Sequence, residues 1–215
     1  MLEGHRDWVL TVSALTLPDG TPVAVTAGHD RKAMVWDLTS GQRLHTLVGH
    51  TDGIRAVATA ALPDGTPAAV TAGHDRTAMV WDLTTGQHLH TLSGHTGGVN
   101  ALTTLALPDG TPAAVTAGHD HNAMVWDLTT GQHLHTLTGH TSSLNVVTAL
   151  TLPDGTPAAV TAGHDHNAIV WNLTTGRTVW RVPLPGPGTC AVPADSGFLI
   201  GYGDEAAHFV WTGRP

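Results

Sequence analysis

The chain has 215 residues, of which 41% are hydrophobic, so it can bury one sizeable core or two small ones. Its 17 acidic and 9 basic residues give a net charge of -8, which makes nucleic acid and anionic membranes poor partners. No stretch approaches the roughly 20 apolar residues of a membrane span. We expect no export signal, because the start MLEGHRDWVL has neither a basic head before an apolar run nor a small-residue cleavage site. Cys190 is the single cysteine, so no internal disulfide can form, and we expect a cytoplasmic protein.

A repeat of 45 residues organises the sequence. The dipeptide Gly-His recurs at 4–5, 49–50, 94–95 and 139–140. Each unit then carries LPDGTP, AVTAGHD and an apolar segment that ends in a tryptophan. Aspartate follows the first three of these tryptophans, and Asn172 follows the fourth.

Within the first unit, strand-like and turn-like segments alternate. In chain order they are VLTVSALTL, the turn PDGT, VAVTAG, the loop HDRK, AMVWDL, the turn TSGQ and RLHTLV. Segments such as AAVTA and AMVW are apolar on both faces, as expected when each small sheet lies between two others. The pattern predicts four short strands in each unit and no helix.

These units resemble the WD-repeat β-propeller family, whose mark is Gly-His near one end and Trp-Asp near the other end of a 40–45 residue unit. The resemblance implies an all-β propeller of four-stranded antiparallel blades within a single domain, residues 1–215. We expect four full blades at about 5–48, 50–93, 95–138 and 140–183, and a degenerate three-stranded fifth blade at 188–215.

Each full unit holds a histidine, a threonine, an aspartate and a tryptophan at fixed spacing. A hydroxyl, an imidazole and a carboxylate also make up a nucleophilic triad, but their fourfold repetition favours a structural role. The resemblance implies a buried chain of hydrogen bonds from the tryptophan through the hydroxyl and the histidine to the aspartate. We call these the blade sets: His5, Thr26, Asp30, Trp36; His50, Thr71, Asp75, Trp81; His95, Thr116, Asp120, Trp126; and His140, Thr161, Asp165, Trp171.

The sixteen histidines raise the question of a metal site. Four of them would form a partial ring at one mouth of the propeller, too widely spaced to share one Zn²⁺: His29, His74, His119 and His164. Others form i, i+2 pairs, expected on one face of the outermost strand as a polar edge: His88 with His90, and His133 with His135. We therefore expect no metal site and no cofactor.

Differences between the repeats indicate where a partner would bind. Units two and three differ at 9 of 45 positions, and six of these lie between residues 52 and 60. By resemblance, the docking surface is the top face, formed by Trp8, Leu10, His29, Arg55, His74, Asn100, His119, Asn145 and His164, with Gly53, Gly98 and Ser143 among them. Trp8 and Arg55 are of the types that dominate binding hot spots. The alternative is neutral drift after duplication, with no partner.

The pattern degrades after Trp171. Leu184 and Pro185 replace the next Gly-His, yet GTCAVPA, GFLIGYGDE and AHFVWTG indicate three more strands. Glu205 and Trp211 are expected in place of the set's aspartate and tryptophan, with Gly201 in place of the hydroxyl. Closure of the ring is left open: the chain forms an open or strained five-bladed arc, or two copies associate through the open terminal blade, or it is part of a longer polypeptide.

These observations predict a protein-interaction scaffold for a protein or peptide partner, in a bacterial signalling or regulatory assembly. The single lysine, Lys32, among many Ala, Gly, Pro and His indicates a GC-rich bacterial genome. One alternative is a fragment of a larger WD-repeat signalling protein with no function of its own. Another is a glycosidase-type enzyme at the propeller axis, which is disfavoured because it needs two carboxylates and only Asp204 stands in a suitable place.

Overall fold

The computed structural model describes residues 3–194, 197–202 and 204–210. Within these ranges the chain forms strands and no helix, so the prediction of an all-β fold is confirmed. In particular, the same ranges contain no helix with the length and apolarity needed to cross a membrane.

The strands form five antiparallel sheets that follow one another along the chain, here named blades 1 to 5. Blade 1 consists of β1 (Val9–Thr16), β2 (Pro22–Gly28), β3 (Lys32–Asp37) and β4 (Arg43–Val48). Blade 2 consists of β5 (Ile54–Ala61), β6 (Pro67–Gly73), β7 (Thr77–Asp82) and β8 (His88–Ser93). Blade 3 consists of β9 (Val99–Ala106), β10 (Pro112–Gly118), β11 (Ala123–Asp127) and β12 (His133–Leu137). Blade 4 consists of β13 (Leu144–Thr151), β14 (Pro157–Gly163), β15 (Asn167–Asn172) and β16 (Arg177–Pro183). Blade 5 consists of β17 (Gly188–Ala194), β18 (Gly197–Tyr202) and β19 (Glu205–Val210), so the predicted three-stranded fifth blade is confirmed.

The LPDGTP segment forms the tight turn between the first and second strands of blades 1 to 4. In blade 1 the carboxylate of Asp19 accepts a hydrogen bond from the Thr21 N–H at 2.9 Å. Gly20 takes a φ of 88°, a left-handed conformation that glycine adopts without steric cost. The turn residues therefore account for the sharp reversal of the chain.

The aspartate that follows each blade tryptophan holds the turn between the third and fourth strands. In blade 2, Asp82 Oδ1 accepts the Thr84 N–H at 2.7 Å, and Oδ2 accepts the Thr85 hydroxyl at 2.7 Å. Asn172 occupies this place in blade 4, where its Oδ1 still accepts two backbone N–H groups. An amide therefore replaces the carboxylate without loss of the backbone bonds.

The outermost strand of blade 2 contains a β-bulge that corrects one prediction. Trp81 pairs with His88 and Val80 pairs with His90, which leaves Leu89 as the extra residue. Neighbouring residues of a strand point to opposite faces, so the two histidines also lie on opposite faces. The prediction that these pairs share one face is wrong. The same bulge separates two histidines of blade 3, His133 and His135.

The blades pack face to face in chain order, and a hydrophobic cluster fills each of the four gaps between them. Between blades 1 and 2, Val23 and Val25 of blade 1 meet Trp81 and Leu83 of blade 2. We call the face that a blade turns toward the following blade its trailing face, and the opposite face its leading face. All residues of β6, β10 and β14 are buried, which confirms that these strands are apolar on both sides.

In blade 5 the strand register places different residues than predicted at the positions of the blade set. Phe209 pairs with Phe198 as Trp81 pairs with Ala69, so Phe209 holds the tryptophan position. Trp211, which was predicted there, lies outside the described residues.

The predicted hydroxyl and aspartate positions of blade 5 also shift by register. Ile200 pairs with Ala207, two residues before Phe209, as Thr71 pairs with Met79, two residues before Trp81. The hydroxyl position of blade 5 is therefore Ile200 and not Gly201. Glu205 pairs with Tyr202 as the first residue of β19 and does not occupy the loop place of the aspartate. The physical reason is that Ile200 and Phe209 are nine residues apart in sequence, whereas Thr71 and Trp81 at the same positions of blade 2 are ten apart.

The series of blades is open in the described part of the chain. Leu38, on the leading face of blade 1, is 48% exposed, whereas the equivalent Leu83 of blade 2 is fully buried. At the other end, Leu199 on the trailing face of blade 5 is also exposed. The described chain thus forms an open five-bladed arc, while association of two copies and a longer parent polypeptide stay predictions.

Candidate functional site

Side-chain hydrogen bonds join the four residues of each blade set. In blade 2, the Trp81 Nε1–H donates to Thr71 Oγ1 at 2.9 Å, and Thr71 Oγ1 lies 2.8 Å from His50 Nε2. His50 Nδ1 lies 2.7 Å from Asp75 Oδ2. The other sets make the same bonds at 2.7–2.8 Å: His5, Thr26, Asp30, Trp36; His95, Thr116, Asp120, Trp126; and His140, Thr161, Asp165, Trp171.

When the histidine is neutral, all hydrogen bonds of the set are donated in the same direction, from the tryptophan toward the aspartate. Thr71 accepts from the indole, so its own proton is free to donate to His50 Nε2. The remaining proton of His50, on Nδ1, then donates to the Asp75 carboxylate. Asp75 also accepts the Thr51 N–H at 3.0 Å, so the set connects two loops to the second and third strands of the blade.

The environment of the set stabilises this protonation pattern. Burial lowers the pKa of His50, although the Asp75 carboxylate acts in the opposite direction. Burial acts to raise the pKa of Asp75, but the interactions with His50 and the Thr51 N–H outweigh it and lower the pKa. The pKa of each set histidine in blades 3 and 4 is lowered in the same way, by burial first: His95 and His140. Neutral histidine facing an ionised aspartate is therefore the favoured state at neutral pH.

Solvent has little access to the hydroxyl groups that would act as nucleophiles. Thr71, Thr116 and Thr161 are fully buried, and each Oγ1 is bonded to both tryptophan and histidine. A nucleophile must reach its substrate, so the set in these blades is arranged to hold loops and not to attack a substrate.

The predicted partner-binding residues lie at the top face, which we define as the end of the blades with the Gly-His loops and the loops between second and third strands. Most of them are exposed: Trp8, Leu10, His29, Arg55, His74, His119 and His164. Two of them are half-buried: Asn100 and Asn145.

Trp8 is the large apolar group of this face. It is 74% exposed, and its ring stacks on His29 with a centroid distance of 6.1 Å and an interplanar angle of 23°. The backbone also joins the two residues, since the His29 N–H donates to the Trp8 carbonyl at 2.9 Å. The indole is thus held in place while most of its surface faces solvent.

Three of the exposed top-face histidines lie beside the loop of the following blade: His29, His74 and His119. A Cβ added to Gly53 would lie 3.5 Å from His29, and one added to Gly98 would lie 3.2 Å from His74. In blade 4 a serine takes this place, and Ser143 Oγ lies 3.3 Å from His119 Nδ1. Small residues at this position therefore let the histidine lie close to the next blade, a role that sequence reasoning did not assign to these glycines.

Asn100 makes a contact between blades. Its Nδ2 donates to the Leu144 carbonyl of blade 4 at 2.8 Å. Its Oδ1 is buried and has no hydrogen-bond partner among the described residues. The side chain that was predicted to meet a partner is thus half-buried and already engaged through its amide nitrogen.

The charged side chains of the top face include Asp52 and Arg55 of blade 2. Burial and the nearby Arg55 guanidinium lower the pKa of His74, while Asp52 acts in the opposite direction. The rings of His74 and His119 meet edge to face at 5.9 Å. No three His, Cys, Asp or Glu side chains within the described ranges come together in a way that could hold a metal ion.

The outer-strand histidines make two kinds of contact. The Nε2 of His90 lies 3.0 Å from the Thr129 carbonyl of the following blade, and His45 and His135 make equivalent contacts. His88 instead packs edge to face against Trp81 of its own blade at 5.1 Å. These histidines therefore take part in blade packing.

The family model described as "WD domain, G-beta repeat" matches residues 1–37, 41–82, 86–127 and 131–172. The chain belongs to the WD-repeat family. WD repeats generally mediate protein–protein interactions, and propellers of this family typically act as non-enzymatic scaffolds. A search of curated proteins found no match to the chain.

The matched WD repeats are offset from the blades. The segment 41–82 contains the outer strand β4 of blade 1 and the first three strands of blade 2. Each later repeat likewise contains the outer strand of one blade and the first three strands of the next, so one repeat contributes to two neighbouring blades. Blade 5 lies beyond the last matched segment.

Proposed function

We propose that this protein is a scaffold that binds another protein or peptide through its top face and catalyses no reaction itself. The WD-repeat family supports a binding role, because its members generally mediate protein–protein interactions. The burial of Thr71, Thr116 and Thr161 supports the absence of catalysis by the blade sets.

The observation that carries the proposal is the exposure of Trp8 on a packed support. Its ring stacks on His29, and His29 lies close to Gly53 of the next blade. A side chain that is already held loses little conformational freedom on binding, and tryptophan is enriched in binding hot spots. Arg55, exposed on blade 2, adds a second residue of hot-spot type.

We further propose that this scaffold works in the cytoplasm, in a bacterial signalling or regulatory assembly. The amino-acid usage, with a single lysine, supports a GC-rich bacterial origin. The net charge of -8 favours neither nucleic acid nor an anionic membrane as the partner.

The test is quantitative capture of partners by the variant that carries both Trp8→Ala and Arg55→Glu. Tagged wild type and variant are expressed at equal levels in the source cells, and co-purified proteins are quantified by mass spectrometry. We expect the variant to retain one-tenth or less of the specifically captured proteins, because loss of two hot-spot residues commonly costs 2 kcal/mol or more, roughly 30-fold.

The matched control carries the same types of change away from the top face. Leu44→Ala and Arg177→Glu alter exposed residues of outer strands β4 and β16. This control should capture partners as the wild type does. Equal capture by a folded top-face variant, shown by an unchanged melting curve, would contradict the proposal.

A further inference from the structure

The leading face of blade 1 is exposed at positions that are buried in the blades that follow. Leu38 is 48% exposed, whereas its equivalents are fully buried: Leu83, Leu128 and Leu173. Val12 is 65% exposed, whereas Val57 and Val147 at the same position of blades 2 and 4 are at most 9% exposed. The sequence of blade 1 therefore builds a packing face that the described chain leaves uncovered.

The rest of the molecule shows what covers such a face. In blade 2, Leu83 and Val57 pack against Val23 and Val25 on the trailing face of blade 1. The gaps between blades 2 and 3 and between blades 3 and 4 are filled in the same way. In blades 2 to 5 the leading face is covered by the trailing face of the preceding blade.

The trailing face of blade 5 has the matching chemistry. Phe198 and Ile200 of β18 pack on blade 4, so Leu199 between them points away from blade 4. Val192 pairs with Leu199 and shares this face, and both are exposed. By register, Leu199 holds the place of Val25, which covers blade 2.

Most exposed positions on the two faces are uncharged. The exposed residues of the leading face of blade 1 include Val12, Ala14, Thr16, Leu38 and, at its outer edge, Arg43 beside Trp36. Those of the trailing face of blade 5 include Cys190, Val192, Leu199, His208 and Val210. Apart from Arg43, none of these positions holds Asp, Glu, Lys or Arg, and burying the two faces on each other removes apolar area from water.

We propose that the trailing face of blade 5 docks on the leading face of blade 1 of a second copy of this chain. Such a head-to-tail contact, made twice around a two-fold axis, gives a closed dimer in which no terminal blade face remains exposed. This dimer uses different residues from the proposed top-face site and does not depend on it.

The test is the mass of the purified chain by size-exclusion chromatography with light scattering, between 1 and 100 µM. The wild type should have the mass of two chains. Leu38→Asp and Leu199→Asp should each shift the mass to one chain, because each places a charge in both contacts. Leu44→Asp, at an exposed leucine of outer strand β4, is the matched control and should remain a dimer.

Mixing the two variants separates head-to-tail contact from other arrangements. The Leu38→Asp chain keeps an intact trailing face, and the Leu199→Asp chain keeps an intact leading face. An equimolar mixture should therefore regain the mass of two chains through the one contact that contains no introduced aspartate. Val12→Asp and Val192→Asp repeat the test in case one of the first variants fails to fold, which circular dichroism checks.

Several results would overturn the proposal. One is a wild type that stays monomeric at 100 µM. A dimer that only the blade 1 variants disrupt would show two leading faces in contact, and a mixture that remains monomeric would exclude the head-to-tail contact. Masses that grow beyond two chains with concentration would contradict the closed dimer.

Discussion

At the scale of single residues, the carboxylate of the blade set accepts the last hydrogen bond of the set and further bonds from neighbouring loop residues. Asp75 accepts from His50, from the Thr51 N–H and from both the N–H and the hydroxyl of Thr77. Removing it leaves four donors without this acceptor, and the side chains of His50 and Asp75 are almost inaccessible to water. The aspartate that follows the tryptophan, in contrast, lies at a solvent-exposed turn, where a neutral acceptor is sufficient.

These two aspartates should respond differently to substitution. We expect Asp75→Ala to destabilise blade 2 by about 2–4 kcal/mol, because a buried hydrogen-bonded partner is lost. Asp82→Asn should cost less than about 1 kcal/mol, because Asn172 makes the same backbone bonds in blade 4. Thermal melting together with hydrogen exchange resolved by blade measures both. A smaller effect for Asp75→Ala than for Asp82→Asn would show that the set does not hold the blade.

The set histidines also predict how stability depends on pH. The pKa values of His50, His95 and His140 are lowered by burial in the folded chain, whereas unfolded histidine titrates near 6.5. As the pH falls below about 6.5, the unfolded chain takes up protons first, so folding becomes less favourable. The lowered pKa of Asp75 acts in the same direction at more acidic pH, below the ordinary aspartate pKa of 3.8.

We therefore expect a lower melting temperature at pH 5.5 than at pH 7.5. His50→Asn should reduce the difference between the two pH values, because one of the three buried histidines is removed. His164→Asn, at an exposed top-face histidine, is the control and should leave the difference unchanged. A melting temperature that rises on acidification would mean that these histidines are charged in the folded protein.

Some residue-scale features were open to sequence reasoning and others were not. Fixed spacing pointed to the residues of the blade set, because a repeated structural unit repeats its internal bonds. Placing His88 and His90 on one face failed, because a bulge depends on strand register and the sequence does not state register.

At the scale of strands and turns, the blades differ in what secures them. Blades 2 to 4 have a complete set and a neighbour on each face. Blade 1 has a complete set but an uncovered leading face, with Leu38 exposed. Blade 5 has three strands among the described residues, an uncovered trailing face, and Ile200 in place of the set's hydroxyl.

Hydrogen exchange of the second strand of each blade should rank these contributions. We expect amides of β18 in blade 5 to exchange at least about tenfold faster than those of β10 in blade 3, since the loss of one bonded set is worth about 1.4 kcal/mol or more. The control is β2 of blade 1, which in the monomer should exchange at an intermediate rate because only the packing of its blade is incomplete. Equal protection of β18 and β10 would contradict this order of stability.

The element predictions succeeded where local chemistry repeats and failed where it does not. Turn residues such as Gly20 and Asp19 require their conformation locally, so the strand boundaries of blades 1 to 4 followed from the sequence. In blade 5, Ile200 and Phe209 are one residue closer in sequence than Thr71 and Trp81 of blade 2, so matching by motif assigned Glu205 and Gly201 to positions that the register gives to other residues.

At the scale of the whole molecule, the repeat count predicted four full blades and a three-stranded fifth, but not the shape of the series. Closure depends on the rotation between successive blades, which follows from side-chain packing in each gap. The gap between blades 4 and 5 is distinct, because Trp180 packs against Phe198 and Phe209 there, where the other blades have a histidine reaching a carbonyl. Sequence repetition alone gives no measure of that rotation.

The arc also explains how the top face combines residues of several repeats. Trp8 comes from blade 1, while Gly53 and Arg55 come from blade 2. The packing between these two blades fixes the positions of their loops relative to each other. A partner that contacts both loops would therefore bind a surface that exists only when the blades are packed together.

Site-specific photo-crosslinking tests the top-face proposal most directly. A photoreactive amino acid is placed at Arg55 on the top face or at the exposed Gln87 on the turn before β8 of the same blade, and the cells are irradiated before purification. We predict adducts with another protein from position 55, reduced by Trp8→Ala, and few from position 87. Equal adducts from both positions, or more from position 87, would contradict a docking site on the top face.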